Sequence, residues 1–112
     1  MPRLDYLELS TRDLAKTKAF FEQALDMKFT DFGPDYAATT TGDTDIGLHH
    51  SPELRPRTMG VICVEGLESY LERVKAAGGE IVLDIISFPG GRRFEFMDPG
   101  GNRVGIWEKC KE

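Results

Sequence analysis

Basic residues are in short supply: 14 Lys and Arg stand against 19 Asp and Glu, a net charge of −5. They are also scattered, with Arg92-Arg93 as the only run. Nucleic acid and anionic membrane surfaces are held by clustered Lys and Arg, so both are excluded as expected partners. Cysteine is scarce too. Cys63 and Cys110 are the only two; they can pair in principle, but in a chain of intracellular character two cysteines read as thiols rather than as a disulfide framework. No apolar run approaches the length of a membrane span. The opening "MPRLDYLELS" lacks the basic start and apolar stretch of a signal peptide. The expectation is a cytoplasmic protein.

What is present fits one compact domain. A chain of 112 residues can bury a working core without disulfides or a metal. An apolar fraction of 40% and a charged fraction of 29% are ordinary for a globular protein.

Two segments carry helical periodicity. "GLESYLERVKAAGG" places Leu67, Tyr70, Leu71, Val74 and Ala77 on one stripe, with Glu68, Glu72, Arg73 and Lys75 outside it. Gly78-Gly79 then supplies the left-handed residue that ends a helix. "DLAKTKAFFEQAL" has Leu14, Thr17, Phe21, Ala24 and Leu25 on its stripe, and Asp13 or Thr11 can cap its start. Each helix follows a short strand, "YLELS" or "MGVICV", and each is followed by three more strand candidates. These are 28–32, 36–40 and 46–50 in the first half, and 81–86, 93–97 and 103–107 in the second. Turn signals "GPD", "TGDTD", "FPGG" and "DPGGN" separate them.

The order β-α-β-β-β therefore occurs twice. A shift of 53 places, the difference between Leu7 and Gly60, lays "LELSTRDLAKTKAFF" on "GVICVEGLESYLERV". The period is half the chain, so this reads as a duplicated module. Module one is expected at 1–50, a connector at 51–57 ("SPELRPR") and module two at 58–112, within one domain 1–112. The expected class is α+β: two βαβββ modules pairing into a cup-shaped mixed sheet. Concavities of that kind favour small-molecule sites.

Three stretches stand out: "LELSTRDLAKTKAFFEQALDMKF", "VEGLESYLERVKAAGGEIV" and "FMDPGGNRVGIWE". In these the sequence resembles the vicinal oxygen chelate superfamily of glyoxalases, bleomycin-resistance proteins and extradiol dioxygenases. The resemblance implies the glyoxalase/bleomycin-resistance/dioxygenase fold, a small-molecule ligand and often a homodimer. It also implies a divalent metal held by His, Gln or Glu on the first strand, and often Glu on the last strand, of each module. Carried onto this chain, those positions are Tyr6, Met59, Gly105 and, by counterpart, Gly47. A phenol, a thioether and two hydrogens do not make a divalent-metal site. No metal site and no cofactor are therefore expected. A glycine inside a strand usually marks a bulge or a close approach. Gly105 reads either as a vacated ligand position or as relief of crowding between strands.

Strand alternation forecasts the lining of the cup. Gly105 brings Trp107 inward, Gly47 brings His49, Tyr6 brings Glu8, and Met59 brings Val61 and Cys63. This mixed aromatic wall suits a small organic ligand with aromatic character. Glu8 and His49 are the acid–base pair available for catalysis. The alternative is that His49 sits near the surface and Glu8 is hydrogen-bonded. A relocated divalent metal would use Glu8, His49 and His50. "FPGGRRF" (Phe88 to Phe94) reads as a mobile rim loop whose Arg92 or Arg93 binds an anionic group, or as an ordinary hairpin loop with solvated arginines. Three functions remain open. One is a metal-free binder of a small molecule. Another is a lyase or dioxygenase-type enzyme, working through Glu8 and His49 or through a relocated metal. The third is a dimeric interaction module without a ligand.

Overall fold

The computed structural model describes residues 1–53 and 57–110; residues 54–56 of the expected connector, and 111–112, lie outside the described residues. The element order is β1 (Arg3–Thr11), α1 (Leu14–Leu25), β2 (Thr30–Asp31), β3 (Tyr36–Ala38), β4 (Asp45–His50), β5 (Thr58–Cys63), α2 (Leu67–Ala76), β6 (Glu80–Phe88), β7 (Gly91–Met97) and β8 (Arg103–Lys109). Strand, helix and three strands occur twice, in an α+β arrangement. Residues cluster into a first unit, Asp5–Met59, and a second unit formed by Met1–Leu4 and the chain from Gly60 on.

In the first unit the strand order is β2-β3-β4-β1. β4 runs parallel to β1, with Leu7, Glu8 and Leu9 opposite Ile46, Gly47 and Leu48, and antiparallel to β3, with Ala37 opposite Leu48. A parallel pair needs a crossover connection, and α1 supplies it, packing against β3 and β4. Both expected capping residues act at its start. Asp13 Oδ1 accepts from the Lys16 N–H at 3.0 Å, while Thr11 Oγ1 accepts from the Asp13 N–H at 3.1 Å. α1 ends at Asp26, whose backbone is left-handed with φ 56°. Ala37 and Leu48 are fully buried.

The second unit has the order β5-β8-β7-β6, with β5 parallel to β8 and both hairpin pairs antiparallel. Its core is Val64, Leu67, Phe94 and Ile106, with Ile62, Tyr70, Leu71, Val74, Ile81, Ile85 and Phe96 packed around them. α2 thus covers the face carrying Ile62, Phe94 and Ile106. The alternate residues Cys63, Glu95 and Gly105 belong to the opposite face.

α2 starts differently from α1. Its N-cap is Gly66, which has no side chain to offer. Glu108, on β8, reaches over instead: its carboxylate accepts from the Gly66 N–H at 2.9 Å and the Leu67 N–H at 3.4 Å. The helix ends at Ala77 and is followed by Gly78 at φ 96°.

Two expectations need correction. The strand expected at 28–32 shrinks to Thr30–Asp31. "FPGGRRF" is not a loop. Phe88 pairs with Gly91, leaving only Pro89 and Gly90 in the turn, and Arg92 and Arg93 lie within β7. The reason is local: Gly90, at φ 106°, takes a backbone conformation open to glycine, so two residues suffice to reverse the chain.

Candidate functional site

In the first unit, the register fixes which side chains share the face turned away from the Leu9, Leu48 and Ala37 row. Glu8 lies opposite Gly47 and Ser10 opposite His49; across β3, Tyr36 lies opposite His49. Tyr6, Glu8, Tyr36, Gly47 and His49 therefore share one face.

Three of them form a continuous hydrogen-bonded chain. The Tyr36 hydroxyl donates to Glu8 Oε2 at 3.1 Å, and the Tyr6 hydroxyl is hydrogen-bonded to that of Tyr36. A phenol carries one proton. With the proton of Tyr36 directed at Glu8, that of Tyr6 is directed at Tyr36. Burial, and then the negative charge of Glu8, push the Tyr36 phenol well above its ordinary range. Tyr36 is therefore a neutral donor at every physiological pH.

This chain explains Gly47. A Cβ placed there would run into the hydroxyls of both Tyr6 and Tyr36 and would lie 2.8 Å from Tyr6 Cζ. The space beside Gly47 is occupied by phenol oxygens. His49 is exposed, with its ring centroid 6.3 Å from that of Tyr36; the hydrogen bond described on Glu8 comes from Tyr36. His50 is also exposed and is tied through its backbone N–H to the Asp35 carbonyl at 2.9 Å. Met59 is buried on β5.

In the second unit, the face away from α2 carries Cys63, Gly105, Trp107 and Arg93. Gly105 pairs with Val61 on one side and Glu95 on the other, and Trp107 pairs with Cys63 and Arg93. Gly105 is buried, while Cys63 and Trp107 are half-buried. Among the described residues neither cysteine is in a disulfide. Glu95, directly opposite Gly105, has a side chain only 5% exposed. It is gripped by two guanidiniums: Arg93 Nη2 at 3.0 Å and Arg103 Nη2 at 2.7 Å, with Arg103 Nε at 2.8 Å besides. Burying a carboxylate is costly unless it is paired and hydrogen-bonded, and here both oxygens are met. Arg92, one residue along and on the other face, is spent on Glu68 and Glu108.

Sequence reasoning missed Tyr36 and Glu95. Applying alternation to the strand at 36–40 would have found Tyr36. Glu95 reads as an ordinary solvated charge until its register with Gly105 is known. A separate surface hollow of about 460 Å³ in the first unit, beside Met27, Lys28, Thr39, Thr41 and Thr44, contains none of the expected site residues.

The four positions where metal ligands would be carried hold Tyr6, Gly47, Met59 and Gly105. Tyr6 is committed to Tyr36, and the neighbourhood of Gly47 is filled by hydroxyls. That donor set does not fit a divalent ion. Among the described residues no group of three or more His, Cys, Asp or Glu side chains is placed to hold one.

The family model of the Glyoxalase/Bleomycin resistance protein/Dioxygenase superfamily matches residues 3–106. Solved structures with a similar fold include methylmalonyl-CoA epimerase from Mycobacterium tuberculosis, at 16% identity and TM-score 0.81, over 96% of this chain and 88% of that one. A glyoxalase/bleomycin resistance protein/dioxygenase superfamily member from Vibrio splendidus 12B01 aligns at 20% identity and TM-score 0.72, over 97% and 100% of the two chains. The Mn(II)-bound glyoxalase from Novosphingobium aromaticivorans aligns at 17% identity and TM-score 0.74, over 96% of this chain and 40% of that chain. At these identities the likeness is one of fold.

Proposed function

The chain belongs to the glyoxalase/bleomycin resistance protein/dioxygenase superfamily, and on that premise we propose that it binds a small organic molecule without a divalent ion. The observation that carries this reading is the Tyr6–Tyr36–Glu8 chain lying over Gly47. Where a metal-dependent member needs electron-pair donors around an ion, this chain has a neutral phenol relay ending on a carboxylate. Such a relay orients polar groups of a ligand by hydrogen bonding. The Mn(II)-bound glyoxalase of similar fold is a metalloprotein; the residues at the corresponding positions here call for a different mode of recognition.

Metal analysis of the purified protein is the direct test. Substoichiometric transition metal after purification without chelators, together with a thermal shift on adding a small organic ligand, is the expected result. One equivalent of bound transition metal overturns the reading.

A second reading, an enzyme that moves protons through Glu8, is favoured by the same hydrogen bond. The Tyr36 hydroxyl fixes the carboxylate in one orientation, and geometry of that kind is what a general base requires. The expected assistant is Tyr36 rather than the exposed His49. Once a turnover assay exists, Glu8→Gln should abolish activity while His49→Ala leaves it nearly unchanged.

A further inference from the structure

The hollow of about 460 Å³ in the first unit is in the size range of small-molecule sites. It lies on the other side of the sheet from Gly47. Ile46, part of its lining, precedes Gly47 on β4 and belongs with Leu48 to the opposite face. One wall is braced from within. Asp45 Oδ1 accepts from the Thr39 and Thr41 hydroxyls at 2.7 and 2.8 Å and from the Thr41 N–H at 2.8 Å. Its Oδ2 accepts from the Gly42 N–H at 3.1 Å. The loop that carries this wall is thus held in one shape before any ligand arrives.

The other wall is the end of α1 and the residues after it, Asp26, Met27 and Lys28. Asp26 is the one non-glycine residue with a left-handed backbone among the described residues, at φ 56°. Glycine or asparagine is the usual choice at such a helix end, and sparsely populated backbone conformations gather at ligand sites. The charge of Asp26 is also out of place. A helix C-terminus is the negative end of the helix dipole and favours cations, yet the last turn of α1 has no basic residue. Among the described residues, neither Asp26 nor Lys28 is ion-paired, with the other or with any third group.

A carboxylate at a helix C-terminus and an ammonium thus border one hollow without meeting. Two residues apart, their Cα atoms are separated by at most about 7.6 Å. A ligand that answers both must carry its own opposite charges close together. Met27 and Ile46 offer apolar surface between the walls. We propose that this hollow binds a free α-amino acid with a large apolar side chain. Its ammonium lies at Asp26 and the C-terminal carbonyls of α1, its carboxylate at Lys28, and its side chain on Met27 and Ile46. The ligand is additional to the one bound at the Gly47 face in the reading above.

The test is calorimetric titration with three compounds: L-phenylalanine, 2-phenylethylamine, which lacks the carboxylate, and 3-phenylpropionate, which lacks the ammonium. L-phenylalanine should bind about fivefold tighter than either analogue, the size expected for ion pairs open to solvent. That advantage should shrink as salt is raised. Lys28→Gln should weaken L-phenylalanine about fivefold and leave 2-phenylethylamine unchanged. Asp26→Asn should weaken L-phenylalanine similarly and leave 3-phenylpropionate unchanged. Both side chains are exposed and asparagine accepts a left-handed backbone, so both variants should fold; the comparison of the three compounds needs only the unaltered protein. Equal affinity for the three compounds, no heat from L-phenylalanine at millimolar concentration, or binding that survives both substitutions overturns the assignment. None of these outcomes touches the metal-free reading, which its own metal analysis decides.

Discussion

The two units share an order of elements and differ in how they treat the glycine on the last strand. Beside Gly47 the first unit packs two phenols, and the polar chain there is neutral except at its end, Glu8. Opposite Gly105 the second unit places a buried carboxylate between two guanidiniums. The helix starts differ in the same spirit. α1 is capped by neighbours in sequence, Asp13 and Thr11, whereas α2 is capped from a distant strand by Glu108. The two glycines therefore face different chemistry, phenol hydroxyls in one unit and an ion-paired carboxylate in the other, and the two helix starts differ in how far along the chain the cap lies. A common backbone plan tolerates both, because alternation decides only which positions face each way, not what chemistry stands there.

The contrast can be broken at its strongest point first. Glu95→Gln keeps the shape but leaves two guanidiniums without their carboxylate. Removing one partner of a buried pair costs several kcal/mol, and since Arg93 and Arg103 are partly exposed the expected loss is about 2–3 kcal/mol in urea unfolding. A loss within error of zero would mean the trio is not coupled. Gly47→Ala comes next, at about 2 kcal/mol for overpacking. Tyr36→Phe, by removing one of the two hydroxyls in the way, should recover part of that loss; a double variant no better than additive would show that the clash is not with Tyr36. Asp13→Ala should cost about 1 kcal/mol, as for other N-caps, seen as a fall in the urea midpoint. Glu108→Gln should instead weaken α2 in a way that α1 does not share, read by faster hydrogen exchange at Gly66 and Leu67 with no change at Lys16.

The smallest effect is on acid stability. The Gly66 N–H and then Arg92 hold the Glu108 carboxyl below its ordinary 4.5. A group whose folded pKa is lowered contributes stability above its unfolded pKa and loses it as pH falls through the folded value. Stability of the native protein should thus fall as pH drops below about 4.5, and Glu108→Gln should flatten that slope. An identical slope in the variant would remove Glu108 from the account.

Most of the scaffold was legible from periodicity and turn residues. The stripe from Leu67 to Val74 and the alternation of "YLELS" place α2 and β1 on the right faces, since burial selects a period that survives any local detail. The row containing Glu8, Gly47 and His49 followed from the same rule. What was not legible depends on strand register and on side chains that reach across from another strand. Nothing near Glu95 tells that Arg103 will reach it, and nothing near Gly66 tells that Glu108 will cap it. Arg93 was read both as the start of a strand and as part of a rim loop, because Pro89-Gly90-Gly91 looks longer than the two-residue turn that Pro89 and Gly90 make. Gly105 was read as either a vacated ligand position or relief of crowding; at its counterpart Gly47 the hydroxyls of Tyr6 and Tyr36 supply the crowding directly.

The reach of Glu108 has a kinetic consequence. The first amides of α2 must wait for a carboxylate that comes 41 and 42 residues later in the chain. During synthesis α1 can close its first turn as soon as it emerges, whereas α2 stays frayed at its start until the last strand has docked. The second half should accordingly be the slower to acquire protected amides, and any lesion in β8 should be felt first at the beginning of a helix far upstream.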